Sequence, residues 1–531
     1  MKNPFKFYEP QENQSFILQQ AENKNSTEPE AFKISKNLKI NEEYIKKRFR
    51  IPENNDVIYR SFELKGGKKA FAVFIEGMVN SAFVSSNIIE TMQFIPFLQE
   101  GTISIKQDEI IEKFVSHCQA VATDDINQVI DEVNFGGCAV FVDGVNKGFT
   151  MDVRSWGHRG IDKPENEQTI YGPQEAFNEM LRNNSALIRK ILKTEKVICK
   201  AIKVGKESKT RGVIMYIDDI ANDSLVNEVE RRIKGIDVDY IFSVEELGNF
   251  IRDNKFSITN QLLTTERPDR TARYLADGRV AVLLNGSPTA LICPTNAYEL
   301  THAASDSYMN SVFVNAARTI RLLGMALSVL LPGVYLALTL FHQEMIPTYL
   351  LYSISASREN VPFPSVLELI LMDFSFEMIR EAGLRMPGAL GSTLGIVGGL
   401  ILGQAAVSAK IVSPIMIIII AITGIGSFAT SDYSLGWSYR ILRLIFIVLG
   451  ASLGFFGISA GVFLYAVYLA SLTNFGIKFL SPLPGNGGVK VFSSIFSPSI
   501  WSEEFRPDYL HTKNNKKEAK ISRSWLSGRD K

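Results

Sequence analysis

Ionisable side chains inside an apolar helical stretch are the part of this sequence best suited to chemistry. Between Pro364 and Met386, six of them stand among apolar residues: Glu368, Asp373, Glu377, Arg380, Glu381 and Arg385. Moving one charge into hydrocarbon costs roughly 3 kcal/mol on the mildest scales. Such residues therefore usually face a bundle interior, a water-filled path or the membrane surface, and these places suit the binding or movement of ions.

A helical projection divides this set into two groups. With a step of about 100° per residue, four side chains fall within an arc of about 100°: Asp373, Glu377, Arg380 and Glu381. Glu368 lies on roughly the opposite side. We take the four as candidate channel-lining residues. The alternatives for the same face are ion pairing within the helix and an interfacial helix at the lipid headgroups.

A ladder of glycines follows this segment. It has one glycine at every fourth position: Gly391, Gly395, Gly399 and Gly403. On a helix, these positions drift only slowly around the axis, and they leave a groove in which a second helix can lie close. The ladder therefore predicts a helix-packing surface, which would serve association of like or unlike helices.

The two halves of the chain differ sharply in their content of charged residues, and this difference predicts which kinds of element position the residues above. Overall, 21% of residues are charged, 46% are hydrophobic and the net charge is +1, as in an ordinary globular protein. From Met386 to Ile477, however, only four Asp, Glu, Lys or Arg residues occur: Lys410, Asp432, Arg440 and Arg443. We predict an α/β cytosolic region of two related subdomains, followed by an all-α polytopic membrane domain over residues 321–480.

The number of membrane crossings depends on two segments. Spans of about 20 apolar residues are expected at Leu322–Phe341, Leu390–Ala409 and Ile411–Ala429. Leu444–Phe475 is long for one span and short for two. If it is one tilted helix and Val366–Glu381 does not cross, there are four spans, which we favour. If it is a short hairpin and Val366–Glu381 crosses, there are six. Basic residues in the tail, 481–531, place both termini in the cytosol.

The N-terminal half repeats one pattern. After a leader at 1–44, predicted to be mobile, residues 45–165 and 196–320 each contain a strand, an acidic turn, a helix and then a β-hairpin. The hairpin turns are Asp143-Gly144 and Asn285-Gly286, which supply the positive φ that tight turns need. Chance recurrence is the alternative to duplication. Residues 166–195 are predicted as a connecting helix with Pro173 in its first turn and with Arg189 on a solvated polar face.

Other classes of function lack their signatures. The cysteines stand singly at four positions: Cys118, Cys138, Cys199 and Cys293. Neither a disulfide framework nor a zinc site follows from that spacing. We find no phosphate-binding loop and no nucleophile beside an oriented base. The sequence predicts a protein that is not an enzyme, with no cofactor, no metal and no nucleic-acid partner.

Motifs spread along the chain carry a family resemblance. They include Phe341-His-Gln-Glu-Met-Ile-Pro-Thr348, Arg358-Glu-Asn-Val-Pro-Phe-Pro-Ser365, Glu377-Met-Ile-Arg-Glu-Ala-Gly383 and Tyr171-Gly-Pro-Gln-Glu-Ala-Phe177. Together they resemble the A subunit of GerA-type spore germination receptors. The resemblance implies a nutrient-sensing subunit in the spore inner membrane that oligomerises into a germinant-gated channel for monovalent cations. Its implied partners are a transporter-like B subunit that binds the germinant, a lipoprotein C subunit, further A subunits and membrane lipid.

Two alternatives stay open beside that implication. One is the SpoVAF-type paralogue, an accessory channel that amplifies germination without its own nutrient receptor. The other is a secondary transporter, or a scaffold subunit that does not conduct. A transporter would be expected to show inverted repeats, and the sequence shows none.

Overall fold

The structure, a computed structural model, describes most of the chain. The described residues are 33–64, 67–94, 120–154, 163–164, 167–385, 399, 401–430, 432–482, 494–498, 503 and 505–517. Most of the predicted leader, Gly391, Gly395 and the end of the tail lie outside them. Helix α1, Leu38–Arg48, begins inside the segment predicted as leader, because Leu38 and Ile45 bury against the first sheet.

The first sheet contains five antiparallel strands. They are β1 Val57–Glu63, β2 Lys69–Ile75, β3 Ala120–Thr123, β4 Gly137–Val142 and β5 Gly148–Asp152, in the order β1-β2-β4-β5-β3. The apolar run of β2 is explained by burial on both faces. Phe71 and Val73 pack with α1 and α2, Ile126–Asn134, whereas Ala72 and Phe74 pack with the helical residues of Ser81–Phe83 and Val84–Glu90.

The second sheet repeats this topology with its own five strands. They are β6 Val197–Val204, β7 Thr210–Ile217, β8 Leu263–Thr265, β9 Val280–Leu284 and β10 Ala290–Cys293, in the order β6-β7-β9-β10-β8. Both predicted hairpins are confirmed, since β4 pairs with β5 and β9 with β10. Gly144 and Gly286 have φ of +83° and +92° in the turns. The α/β prediction for this half is therefore confirmed.

The connection between the sheets differs from its prediction. Helix α3 covers only Leu181–Ile191, after an irregular segment in which Gly172 has a φ of +97°. The first-turn position predicted for Pro173 is therefore wrong. Arg189 is 1% exposed, so its predicted solvated face is wrong too. Its Nη2 donates to Asp56 Oδ1 at 2.7 Å and to the Val197 carbonyl at 2.9 Å, and these bonds join the two sheets.

The remaining helices of the N-terminal half cover the second sheet. They are α4 Asp223–Lys234, α5 Val244–Ile251 and α6 Pro268–Ala276. The chain then becomes helical in α7 Ser311–Phe341, α8 Thr348–Arg358, α9 Ser365–Arg385, residues 401–408, α10 Pro414–Phe428 and α11 Tyr433–Ser471. In the described part of the chain, two helices are long and apolar enough to cross a membrane, Ser311–Phe341 and Ser434–Ser471.

Helix α11 reverses direction at Gly454. Gly454 has non-helical angles, φ 60° and ψ −141°. A Cβ placed on Gly461 would lie 2.9 Å from the Phe446 ring, although these residues would stand about 22 Å apart along one straight helix. Residues 433–453 and 455–471 are thus two antiparallel arms. The single tilted helix assumed in the four-span count is not what the structure has, because glycine at this position permits the turn.

Both arms of α11 return to the same loop of the second α/β unit. The Asn260 backbone N–H donates to Ser438 Oγ at 3.4 Å beside the first arm. Thr259 Oγ1 lies 3.2 Å from Tyr465 Oη on the second arm. At the far end, a Cβ on Gly454 would lie 3.1 Å from the Phe341 Cβ, where α7 ends. The arms and α7 therefore extend together away from the sheets.

The other helices alternate in direction. Gly324, early in α7, approaches Gly426 near the end of α10, while Tyr335, late in α7, packs in one cluster with Met416 at the start of α10, so α10 runs antiparallel to α7. Helix α9 runs parallel to α10, because Glu368 contacts Ser413 at one end and Arg380 contacts Ser427 at the other. The short helix α8 connects α7 to α9. Without it, and with residues 401–408 counted as the return between α9 and α10, six helical segments alternate in the described part of this half.

Candidate ion-pair site in the helical region

Three helices bring ionisable side chains to one place. Helix α9 presents Asp373, Glu377 and Arg380 at spacings of four and three residues, which place them on one helix face. The first arm of α11 presents Arg440 and Arg443, again three residues apart. These five residues define the ion-pair network. The shared face predicted for the first three is therefore present.

Glu377 pairs with all three arginines of the network, and Arg443 links it to Asp373. Arg443 Nη2 lies 2.6 Å from Glu377 Oε1 and 3.2 Å from Asp373 Oδ1. Arg440 Nε lies 3.6 Å from Glu377 Oε2, and Arg380 Nη1 lies 3.5 Å from Glu377 Oε1. Two carboxylates thus share three guanidinium groups, and helix α9 is joined electrostatically to α11.

Aromatic rings and one hydroxyl complete the surroundings. The guanidinium of Arg380 lies 4.8 Å from the centre of the Phe428 ring and donates to Ser427 Oγ on α10. The guanidinium of Arg440 lies 4.4 Å from the Trp437 ring centre. Such cation–π contacts contribute about 0.5–2 kcal/mol, more where water is excluded. They hold the two outer arginines while Arg443 occupies the middle.

Burial makes the network costly to break. The side chains of Arg443 and Asp373 are 2% and 5% exposed. Arg443 stands midway along the arm 433–453, about 15 Å of helix rise from either end. Removing one partner from a buried pair leaves an uncompensated charge and costs roughly 3–5 kcal/mol. In this arrangement, the guanidinium of Arg443 contacts both carboxylates and competes with any cation for them.

The remaining predicted residues lie elsewhere. Glu381 is partly buried on α9, next to Arg380. Glu368 is 1% exposed, and its Oε1 accepts the backbone N–H of Ser413, the N-cap of α10. Among the described residues, its Oε2 has no hydrogen-bond partner, and neither has the buried Tyr335 hydroxyl nearby. Glu368 therefore serves the start of a different helix, as its opposite position on the projection indicated.

The contact of Glu368 with α10 yields a stability prediction. Glu368→Ala leaves the Ser413 N–H without an acceptor in an apolar setting, which should destabilise the protein by about 1–3 kcal/mol. Glu368→Gln keeps a carbonyl oxygen at that place and should recover most of the loss. Thermal unfolding midpoints of the purified variants would measure this. Equal midpoints for the Ala and Gln variants would contradict the capping role.

The glycine ladder is only partly described. Gly403 is buried, and a Cβ added to it would lie 3.7 Å from the Ile417 side chain. A Cβ added to Gly399 would have no atom within 4 Å in the part of the chain that the structure describes. Closer approaches occur at other glycines. A Cβ on Gly450 would lie 3.0 Å from Gly333 Cα, and one on Gly426 would lie 3.3 Å from Ser328 Cβ.

Sequence reasoning missed the arginines of α11 and the glycines of α7. It treats Arg440 and Arg443 only as signs of membrane orientation, although their spacing of three residues in apolar sequence could have marked them as partners of the acidic face. Gly324 and Gly333 lie nine residues apart and form no regular ladder. Their role depends on where the helices cross.

Comparison with known proteins gives consistent matches. The family model for the Bacillus/Clostridium GerA spore germination protein matches residues 43–509. Spore germination protein KA of Bacillus subtilis (strain 168) is 34% identical over 479 residues, covering 89% of this chain and 87% of that protein. The uncharacterized membrane protein YfkQ of the same organism is 34% identical over 467 residues, covering 88% and 90%.

One solved structure is also similar. It is the crystal structure of the N-terminal domain of the A subunit of the Bacillus megaterium spore germinant receptor GerK3, with 26% sequence identity and a TM-score of 0.39. The match covers 49% of this chain and 96% of that one.

Proposed function

We propose that this chain, which belongs to the GerA family of spore germination proteins, acts in spore germination as the A subunit of a nutrient-responsive receptor. The matches to germination proteins along most of the chain support this assignment. The helices α7 to α11 form its membrane domain in the spore inner membrane. The two α/β units lie in the cytosol, and several copies of the subunit assemble around an ion path.

A membrane domain of six crossings fits the helical region best. The six alternating segments begin and end beside the second α/β unit, so both flanking regions stay on one side. Arg318 and Arg321, at the start of α7, pair with Asp306 at 3.0 Å and 3.1 Å. Arginines at that edge are typical of the cytosolic side. This count replaces our preference for four, because Gly454 turns the last apolar stretch into two arms.

The ion-pair network is the observation that carries the channel hypothesis. A buried carboxylate, Asp373, and a half-buried one, Glu377, lie within an apolar bundle, where ionisable groups are costly and commonly mark a functional site. We assign the paired arrangement to the closed state, in which Arg443 occupies the carboxylates of Asp373 and Glu377. Opening separates α9 from α11, and the freed carboxylates then face the path of monovalent cations. Nutrient binding to a transporter-like B subunit, with a lipoprotein C subunit beside it, is the trigger.

Flux measurements test this assignment. Asp373→Asn or Glu377→Gln removes one charge from the closed network while keeping the shape of the side chain. Losing a charge-assisted contact of roughly 1.5 kcal/mol should raise basal potassium leakage about tenfold. The purified oligomer in potassium-loaded liposomes provides the measurement. Glu359→Gln, an exposed carboxyl beyond α8, is the matched control.

The flux measurements distinguish a subunit that conducts ions from one that only holds the receptor together. Spores that carry either variant should also release more potassium in the absence of nutrients, while the subunit accumulates normally. Liposomes that retain potassium with the wild type and with both variants, under conditions where the oligomer is intact, would contradict the channel assignment.

A further inference from the structure

An exposed apolar segment is formed by the last residues of α5 and the loop that follows it in the second α/β unit. Phe256 is 93% exposed, and Phe250 and Ile258 are 51% and 38% exposed. Arg252 and Lys255 lie between them in sequence. Large apolar side chains that cluster on the surface of a folded unit commonly mark a contact surface. We call residues 250–258 the aromatic–basic loop.

The loop lies where α11 leaves the bundle. Ser257 Oγ lies 2.9 Å from Tyr468 Oη, and the Ile258 backbone N–H donates to the same hydroxyl at 3.0 Å. Tyr468 and Tyr465 stack at 6.2 Å near the end of the second arm. Tyrosines at a helix end are typical of the boundary between hydrocarbon and water. The loop is therefore fixed at that boundary by hydrogen bonds.

The charges of the loop favour a negatively charged neighbour. Its one acidic residue, Asp253, is bonded to Arg232 and accepts the Thr473 hydroxyl at 3.0 Å. Arg252 Nη2 donates to the Lys255 carbonyl at 2.6 Å, which draws the two basic residues together. Lys255 is exposed beside Phe256. A positive group thus stands next to an apolar one, as in segments that lie in a headgroup layer.

We propose that the aromatic–basic loop inserts Phe256 into the lipid headgroup layer and that Arg252 and Lys255 meet the phosphates there. This inference rests on the membrane placement of α7 to α11 proposed above. Insertion would fix the distance of the second α/β unit from the membrane. The loop also contacts both arms of α11, directly or through Asn260, so it would transmit movement of the bundle to the β-sheets.

The exposed apolar residues on the neighbouring arm of α11 favour lipid over a second copy of the chain as the partner of the loop. Phe463 and Val467, on the second arm just before Tyr468, are 68% and 51% exposed. Their spacing of four residues places them on one face of the arm, and Tyr468, which binds the loop, follows Val467 directly. A surface that is apolar along the arm and basic at its end matches the change from hydrocarbon to phosphate across a membrane boundary.

Depth measurement by spin labelling tests the proposal. The described cysteines Cys138, Cys199 and Cys293 are buried, so a label can be attached at a new position in a Cys118→Ser background. Phe256→Cys and Phe463→Cys are made separately in the full chain. Phe242→Cys is the control: Phe242 is 63% exposed but lies beside the β9–β10 turn, where Val244 N–H donates to Ser287 Oγ at 3.3 Å.

Collision with oxygen, which concentrates in lipid, is compared with collision with a water-soluble nickel chelate. In phospholipid bilayers, labels at 256 and 463 should favour oxygen, and the label at 242 should favour nickel. A label at 463 in lipid with one at 256 in water would overturn this inference alone. A label at 463 in water would overturn the membrane placement. Protection of 256 from both reagents would mean a protein contact instead, and would also overturn the inference.

Discussion

Replacing Arg443 with methionine is expected to prevent accumulation of the protein. Methionine fills a similar length of space without the charge, so the change isolates the electrostatic role. Asp373 and Glu377 would remain in an apolar bundle with their central partner removed. Breaking a buried pair in this way costs roughly 3–5 kcal/mol, a large part of the stability of a typical domain. Immunoblots of spore membranes would show the loss.

A compensating variant distinguishes charge from packing. Adding Asp373→Asn to Arg443→Met removes the carboxylate whose one ion pair in the described part of the chain is with Arg443. Glu377 keeps Arg380 and Arg440 at 3.5 Å and 3.6 Å. The double variant should therefore restore accumulation, because neutral replacements of buried ion pairs are often tolerated.

The matched control is Arg440→Met, which leaves Glu377 paired with Arg443 but removes the contact with the Trp437 ring. We expect a smaller loss from it, about 1–2 kcal/mol. If the double variant stays absent while Arg440→Met accumulates, the packing of Arg443 matters more than its charge.

Gly450→Ala is expected to disrupt the crossing of α7 with the first arm of α11. The added Cβ would lie 3.0 Å from Gly333 Cα and closer still to the Gly333 carbonyl group. Backbone cannot move aside as the end of a side chain can, so the two helices must separate. Overpacking of this kind costs about 1–3 kcal/mol. A lowered thermal midpoint of the detergent-purified protein would report it.

The control for this crossing is Gly436, which lies on the same arm of α11. A Cβ added to it would lie 3.4 Å from Thr430 Oγ1, an ordinary contact distance. Because alanine favours a helix over glycine by about 0.5–1 kcal/mol, Gly436→Ala should be as stable as the wild type or slightly more stable. A lower midpoint for Gly436→Ala than for Gly450→Ala would contradict the assigned crossing.

The predicted packing role of the glycine ladder is tested by a different change. The double variant Gly395→Leu and Gly399→Leu fills the groove with two large side chains. If the ladder joins copies of the subunit, the variant should lose its oligomeric state on native gels. An oligomer of normal size would mean that the groove is incidental.

The α/β region could be predicted from local sequence because its signals are local. Gly144 and Gly286 adopt the positive φ that tight turns require, and glycine permits it without help from distant residues. The apolar run at Ala70–Ile75 predicted a strand, and β2 lies there. The prediction for Arg189 is wrong, since a polar residue on a helix face gives no sign of Asp56, which meets it from the distant turn before β1.

In the helical half, the sequence by itself determined which residues are ionisable and which of them share a face of α9. Only the tertiary structure decided their partners. Arg443 and Glu377 stand 66 residues apart, and their pairing depends on how α9 and α11 pack. The reversal of α11 at Gly454 could likewise not be predicted from the sequence, because glycine permits either a helix or a turn. Contacts between distant segments made that choice, and with it the number of crossings we propose.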